Sequence, residues 1–162
     1  VGEEFFTAPA SPRESWHNCF PGGLADHSLR VVSQLLKISK ALAPDKFHPT
    51  TLSFVGLCHD LGKVGDGEVP YYLPLEGDKN RWRREKGELY EINKECVYMP
   101  TSDRGLLVLQ KNKKTLPPDE YLAIRLNDGQ YDETNKRYAL HEPDLALLVH
   151  FADRWATAIE KS

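Results

Sequence analysis

His27 falls on the helical stripe Leu24, His27, Val31, Leu35, Ile38 and Leu42, whose other members are all Leu, Val or Ile. An imidazole aimed at a core needs a partner, and for a lone residue of this kind a hydrogen-bonded core histidine is the ordinary answer. His59 occupies the stripe Leu52, Val55, His59, Gly62, with Asp60 beside it, about 100° around the helix axis. Gly56, Leu57, Cys58, Leu61 and Gly62 surround the pair with apolar or small residues. A carboxylate ionised there needs a cation or strong donors. Asp153 repeats the pattern, with Val149 four residues before it and Ala156 three after. Independent core histidines and salt-bridged aspartates would have to account for all four groups separately; a shared cation accounts for them together. Two neutral imidazoles and two carboxylates suit Mn, Fe, Zn, Co or Ni, with Mg admitted, rather than Ca or a thiolate-selected ion.

The elements that carry these groups follow from the same periodicity. Residues 1–23, broken by Pro9, Pro12, Pro21 and Gly22-Gly23, read as an extended arm. A helix is expected from Leu24 to about Ala43, ended by Pro44, and a second from an N-cap at Thr50 or Thr51 to about Gly62. Residues 69–100 change character and read as a β-hairpin insertion with its turn in 77–87. Ser102 is expected to cap a short helix reaching Gln110, and Pro117-Pro118 to open another reaching Leu126. Asn127-Asp128-Gly129 is a turn, and Asp144 is expected to cap a last helix with the core stripe Leu145, Leu148, Val149, Ala152, Ala156 and Ile159. The fold class is mainly α, one domain over 1–162 with a small two-stranded insertion.

Composition limits the function. The chain has 162 residues, 40% hydrophobic, with 21 Lys and Arg against 24 Asp and Glu. That is enough for one core, and the balance provides no global positive field for bulk nucleic acid. The longest apolar runs are far shorter than the roughly 20 residues that cross a bilayer. Cys19, Cys58 and Cys96 form no CxxC pair, so neither a disulfide framework nor a thiolate zinc site is suggested. With no basic segment followed by an apolar one at its start, the chain is expected in the cytoplasm.

Gly22-Gly23-Leu24-Ala25-Asp26-His27-Ser28-Leu29, then Cys58-His59-Asp60-Leu61-Gly62-Lys63, then Ala152-Asp153, resembles the HD-domain metal-dependent phosphohydrolases. The helix ending Leu147-Leu148-Val149-His150-Phe151-Ala152-Asp153 is similar to that of small stand-alone HD proteins of bacteria and phages. The resemblance implies an HD-type helical bundle, metal ligation by His27, His59, Asp60 and Asp153, and a substrate phosphate contact by Lys63. Beside that role, a Lys at a helix C-terminus simply complements the dipole. His17 is a candidate to donate to a phosphate or protonate a leaving group, and His150 to stand behind the ligands or face substrate. Many relatives hold a second ion with further histidines; the corresponding places here read Thr101-Ser102-Asp103-Arg104 and Arg125-Leu126-Asn127-Asp128. One ion is therefore expected, with Asp103 or Asp128 as oxygen donors to a weaker second one. The same loss counts against the di-iron oxygenase branch.

The expected reaction is hydrolysis of a phosphoester by metal-activated water, with Asp60 or a neighbouring carboxylate accepting the proton. Arg81, Trp82, Arg83 and Arg84 offer phosphate contacts and a stacking face, so a nucleotide or short single-stranded nucleic acid is the natural substrate. Six acidic residues around them favour a solvated hairpin tip instead. Trp16 is another base platform. Two alternatives stay open. One is an HD-type nuclease or nucleic-acid-processing module, since Pro9-Ala10-Ser11 with 22–28 is also similar to HD domains attached to DNA-transfer proteins. The other is a nucleotide-binding regulatory HD domain with little turnover. His48 and His141 read as surface residues, and the sequence leaves the oligomeric state open.

Overall fold

In the computed structural model, which describes residues 2–161, a short helix α1 (Glu3–Thr7) interrupts the arm expected to be irregular. Helix α2 (Gly23–Leu42) follows, led in by Gly22 at φ +83 and ending two residues before Pro44. Its stripe behaves as the periodicity requires: Leu24, His27, Val31 and Leu35 are buried. Helix α3 (Pro49–Cys58) is capped not by a threonine but by His48, whose Nδ1 accepts a hydrogen bond from the Thr50 amide at 3.2 Å. Proline at the first helical position makes the preceding residue the cap. The helix stops at Cys58, and a tight 3₁₀ turn, Leu61–Val64, carries Lys63.

Helices α5 (Thr101–Lys111), α6 (Pro118–Arg125) and α7 (Asp144–Glu160) complete the bundle. Neither Ser102 nor Asp144 caps its helix; prolines 100 and 143 hold the cap positions. Ser102 is buried with its Oγ unpaired among the described residues, and Asp144 forms an ion pair with Lys46. One core cluster joins α2, α3, α6 and α7 through Val31, Leu35, Leu52, Val55, Ala123, Leu145 and Val149. A second joins the start of α2, the 3₁₀ turn and α5 through Leu24, Leu61, Val64, Leu106 and Leu109. Ile159, expected in the α7 stripe, is 42% exposed as the helix leaves the core. Between α6 and α7, the segment read only as a turn holds two 3₁₀ turns, Gly129–Tyr131 and Glu133–Tyr138. Among the described residues no helix is long and apolar enough to cross a membrane.

The insertion pairs β1 (Tyr72–Pro74) antiparallel to β2 (Tyr90–Ile92), Tyr72 opposite Ile92. Its expected turn is instead a 3₁₀ turn running into the five-residue helix α4 (Arg81–Glu85). The hairpin braces the N-terminal arm: the Leu89 and Tyr90 amides donate to Pro12 O, the Glu14 amide donates to Gly87 O, and Arg13 pairs with Glu88. The arm segment carrying Trp16 and His17 is thereby fixed against the bundle.

Candidate metal centre

His27 from α2, His59 and Asp60 from the end of α3, and Asp153 from α7 meet at one point. His27 Nε2 lies 3.3 Å from His59 Nε2, 3.1 Å from Asp153 Oδ1 and 3.7 Å from Asp60 Oδ2. His59 Nε2 lies 3.5 Å from Asp60 Oδ2 and 3.8 Å from Asp153 Oδ1. Donors about 2.1 Å from a shared ion stand roughly 3.0–3.4 Å apart in octahedral or tetrahedral geometry, so the spacing needs only a small contraction.

The opposite edges of both imidazoles are already spoken for. His59 Nδ1 donates to Gly56 O at 2.8 Å, and His27 Nδ1 donates to Glu160 Oε2 at 2.9 Å. These bonds turn both Nε2 atoms toward the carboxylates and supply the outer support that metal-binding histidines use. Glu160 has a side chain only 1% exposed, and sequence reasoning missed it. Its signal was present: Val149, Asp153, Ala156 and Glu160 step by four, three and four along one face.

The electrostatics fit a cation. Burial alone would lower the His27 pKa, but hydrogen bonds to Asp153 and Glu160 and the Asp60 charge raise it to about 9. Burial alone would raise the Asp60 carboxyl; Lys63, then His59 and His27, hold it well below the usual carboxylate range. Asp153 is likewise lowered, by its hydrogen bond from His27 against the effect of burial. His27 and Lys63 both face carboxylates, His27 those of Asp153 and Glu160 and Lys63 that of Asp60. Lys63 Nζ donates to Asp60 Oδ2 at 2.6 Å and is held above its ordinary pKa by the Asp60 charge against its burial.

Two of the donors, Asp60 and Asp153, line a 280 Å³ cleft together with Trp16, His17, Lys63, Asp128, Tyr131, Arg154, Thr157 and Lys161, while His27 and His59 lie buried behind them. His17 packs its ring 4.7 Å from that of His27, and its buried Nε2 has no hydrogen-bond partner among the described residues. Burial first, then the charges of Lys63 and His27, pull its pKa down to about 3, so it is neutral at pH 7. Asp128 stands open to solvent at the rim. Its carboxyl is pushed up by the packing around it and by the Asp60 and Asp153 charges.

Other expected site residues lie elsewhere. His150 does not face the cleft: its Nδ1 donates to Asn127 O at 2.8 Å and its ring fills the space beneath Gly129. Asn127 Nδ2 in turn donates to His59 O at 3.3 Å, so His150 props the loop that carries Asp128. Asp103 is paired with Arg125 at 2.7 Å and lines a different depression, with Leu106 and Tyr121. It is unavailable to a second ion beside the cluster. Arg81, Arg83 and Arg84 are absent from the cleft wall and serve the hairpin: Arg81 pairs with Glu85, Arg83 with Glu88 and Glu91, and Arg84 donates to Leu75 O and Gly77 O. Trp82 is 58% exposed with Lys86 over its face. The sequence offered neither Arg154, Lys161 nor Tyr131.

The family model described as HD domain matches residues 24–158, a span that contains every member of the donor cluster. The chain belongs to the HD-domain family. No curated protein and no solved structure matches it. HD domains are in general metal-dependent phosphohydrolases, and in this HD domain the His and Asp groups that could hold a metal are those just described.

Proposed function

We propose that this HD domain is a phosphohydrolase that cleaves a phosphoester of a nucleotide or short oligonucleotide, using one divalent transition ion held by His27, His59, Asp60 and Asp153. The observation that carries the reading is the convergence of four donor atoms, with both imidazoles oriented by their Nδ1 bonds, beside a cleft that Asp60 and Asp153 line and that also holds cations and aromatic faces. When bound there, a divalent ion supplies Lewis acidity toward water and a phosphoryl oxygen.

The chain's own residues do the rest. Lys63 is placed to neutralise a non-bridging phosphate oxygen once Asp60 is shared. His17, neutral and with a free Nε2, is suited to a hydrogen bond with the phosphate rather than to carrying positive charge. Asp128, its carboxyl raised and open to the cleft, is better suited than Asp60 to accept a proton from water, because Asp60 is held ionised by its neighbours. Trp16, 50% exposed on the cleft wall, offers a stacking face to a base. A nucleic-acid-processing role is less well supported, because the hairpin arginines are spent on internal partners.

The test is metal analysis of the purified chain together with a screen of nucleoside mono- and triphosphates, cyclic dinucleotides and short oligonucleotides with Mn, Co, Ni, Zn, Fe or Mg. Turnover that disappears with metal retention in Asp60→Ala is expected. Tight nucleotide binding without product under any metal would favour the regulatory alternative, and full activity in a folded, metal-free Asp60→Ala chain would end the assignment.

A further inference from the structure

Helix α7 continues beyond Asp153 along the wall of the cleft, contributing Arg154 and Thr157, and Lys161 follows at its C-cap with helical backbone angles. Arg154 and Lys161 are seven residues apart, two helical turns or roughly 10 Å along the axis. Both line the same cleft as Asp60 and Asp153 of the donor cluster. Among the described residues neither has an ion-pair partner; the Arg154 guanidinium instead stands 5.2 Å from the centre of the exposed Tyr131 ring. Lys63, the third cation of the cleft, is bound to Asp60. The guanidiniums of Arg81, Arg83, Arg84 and Arg104 are all taken by carboxylates or carbonyls. Arg154 and Lys161 thus give one wall of the cleft two uncommitted charges in a row.

One phosphate at the donor cluster has Lys63 and His17 beside it and does not require a ridge of charge extending two turns further. A substrate with more anionic oxygens does. Arg154 offers a planar fork that matches phosphate oxygens two at a time, and Lys161 a mobile point charge. We propose that Arg154 and Lys161 form a second phosphate subsite, so that the substrate of this chain carries at least one phosphate beyond the one placed at the donor cluster. The proposal rests on the phosphohydrolase reading for the position of the first phosphate. A nucleoside polyphosphate and a 5′-phosphorylated oligonucleotide share this chemistry.

The test is calorimetric titration of the full chain, with Mn(II) in excess throughout, by inorganic phosphate and by imidodiphosphate, a diphosphate that resists hydrolysis. The wild-type chain is expected to bind imidodiphosphate at least tenfold more tightly than phosphate, about 1.4 kcal/mol. The double variant Arg154→Met, Lys161→Met should reduce that ratio to below twofold, and Arg154→Lys should keep part of it. Both side chains lie at the surface of the fold, and an unchanged melting temperature checks that it is intact. A wild-type chain without preference, or a double variant that keeps the tenfold ratio, overturns the subsite. Competition by adenylyl imidodiphosphate against a 5′-phosphorylated dithymidylate then separates the two sources by whichever binds more tightly. Failure to hydrolyse any phosphoester would refute the phosphohydrolase reading instead, because the imidodiphosphate titration needs no turnover.

Discussion

Replacing Glu160 by Gln tests whether the support behind His27 tunes the metal centre. The Glu160 carboxylate accepts from His27 Nδ1 at 2.9 Å, and its other oxygen lies 3.7 Å from Arg30 Nε. Glutamine keeps the size and one acceptor but removes the charge. A hydrogen bond to a charged group contributes roughly 1.5–3 kcal/mol and a neutral one roughly 0.5–1.5, so the change costs about 1 kcal/mol. His27 Nε2 becomes correspondingly less basic, and affinity for Mn(II) or Co(II) should fall about five- to tenfold. Glu160→Ala removes the acceptor altogether from a fully buried N–H and should weaken binding by up to about 100-fold, with a lower melting temperature. Competition against a chromophoric chelator measures both, and the visible spectrum of the Co(II) form reports whether the donor set has changed. Unaltered affinity in a folded Glu160→Ala chain would refute the reasoning, because His27 would then be oriented by something other than Glu160.

Three further outcomes follow from the same contacts. The pKa of His27 is raised from 6.5 to about 9, so its protonation stabilises the EDTA-treated chain fully below pH 6.5 and is lost as pH rises through 9; denaturant melts should show that decline while Mn(II) affinity rises over the same window, by at most about tenfold per pH unit. Gly129→Ala places a Cβ 2.6 Å from the His150 ring at a residue with φ +57, and should cost about 1–3 kcal/mol in chemical denaturation while disturbing the loop that carries Asp128. The triple variant Arg81→Ala, Arg83→Ala, Arg84→Ala should leave KM for nucleotide within about twofold of wild type, since a surface change remote from the cleft rarely exceeds about 0.5 kcal/mol there, and should lower thermal stability through the hairpin; a large rise in KM would restore those arginines to the substrate.

What could be read from the sequence was whatever helical periodicity controls. A polar residue on an apolar stripe is conspicuous, and His27 and Asp153 lie where their stripes place them. Residues whose role depends on where a loop runs were not readable. His150, three residues before Asp153, suits the cleft by helix position alone, but the turn through Gly129 covers it. The arginines around Trp82 count as a basic patch only until the hairpin brings Glu88 and Glu91 against Arg83. Arg154 and Lys161 lie on an exposed face, where a charge in the sequence says nothing about whether a cleft lies beneath it.

The adjacent pair His59-Asp60 shows why the break in α3 matters. On a continuous helix, neighbours project about 100° apart, and two short side chains so separated do not converge on a single ion. The chain leaves the helix at that point: His59 keeps helical angles, while Asp60 shifts to φ −105, ψ 14, bringing Asp60 Oδ2 to 3.5 Å from His59 Nε2. The tight turn that follows depends on Gly62, where a Cβ would stand 2.0 Å from Thr101 O on α5. Arg104, with its side chain buried, reaches from α5 to Gly62 O at 3.5 Å and to Val97 O and Met99 O, its guanidinium packed on Tyr71. Asn127 holds His59 O from the other side. The glycine and lysine after the HD pair therefore act together on the centre: Gly62 allows the close approach to α5 that turns the chain, and the turn brings Lys63 back to within 2.6 Å of Asp60.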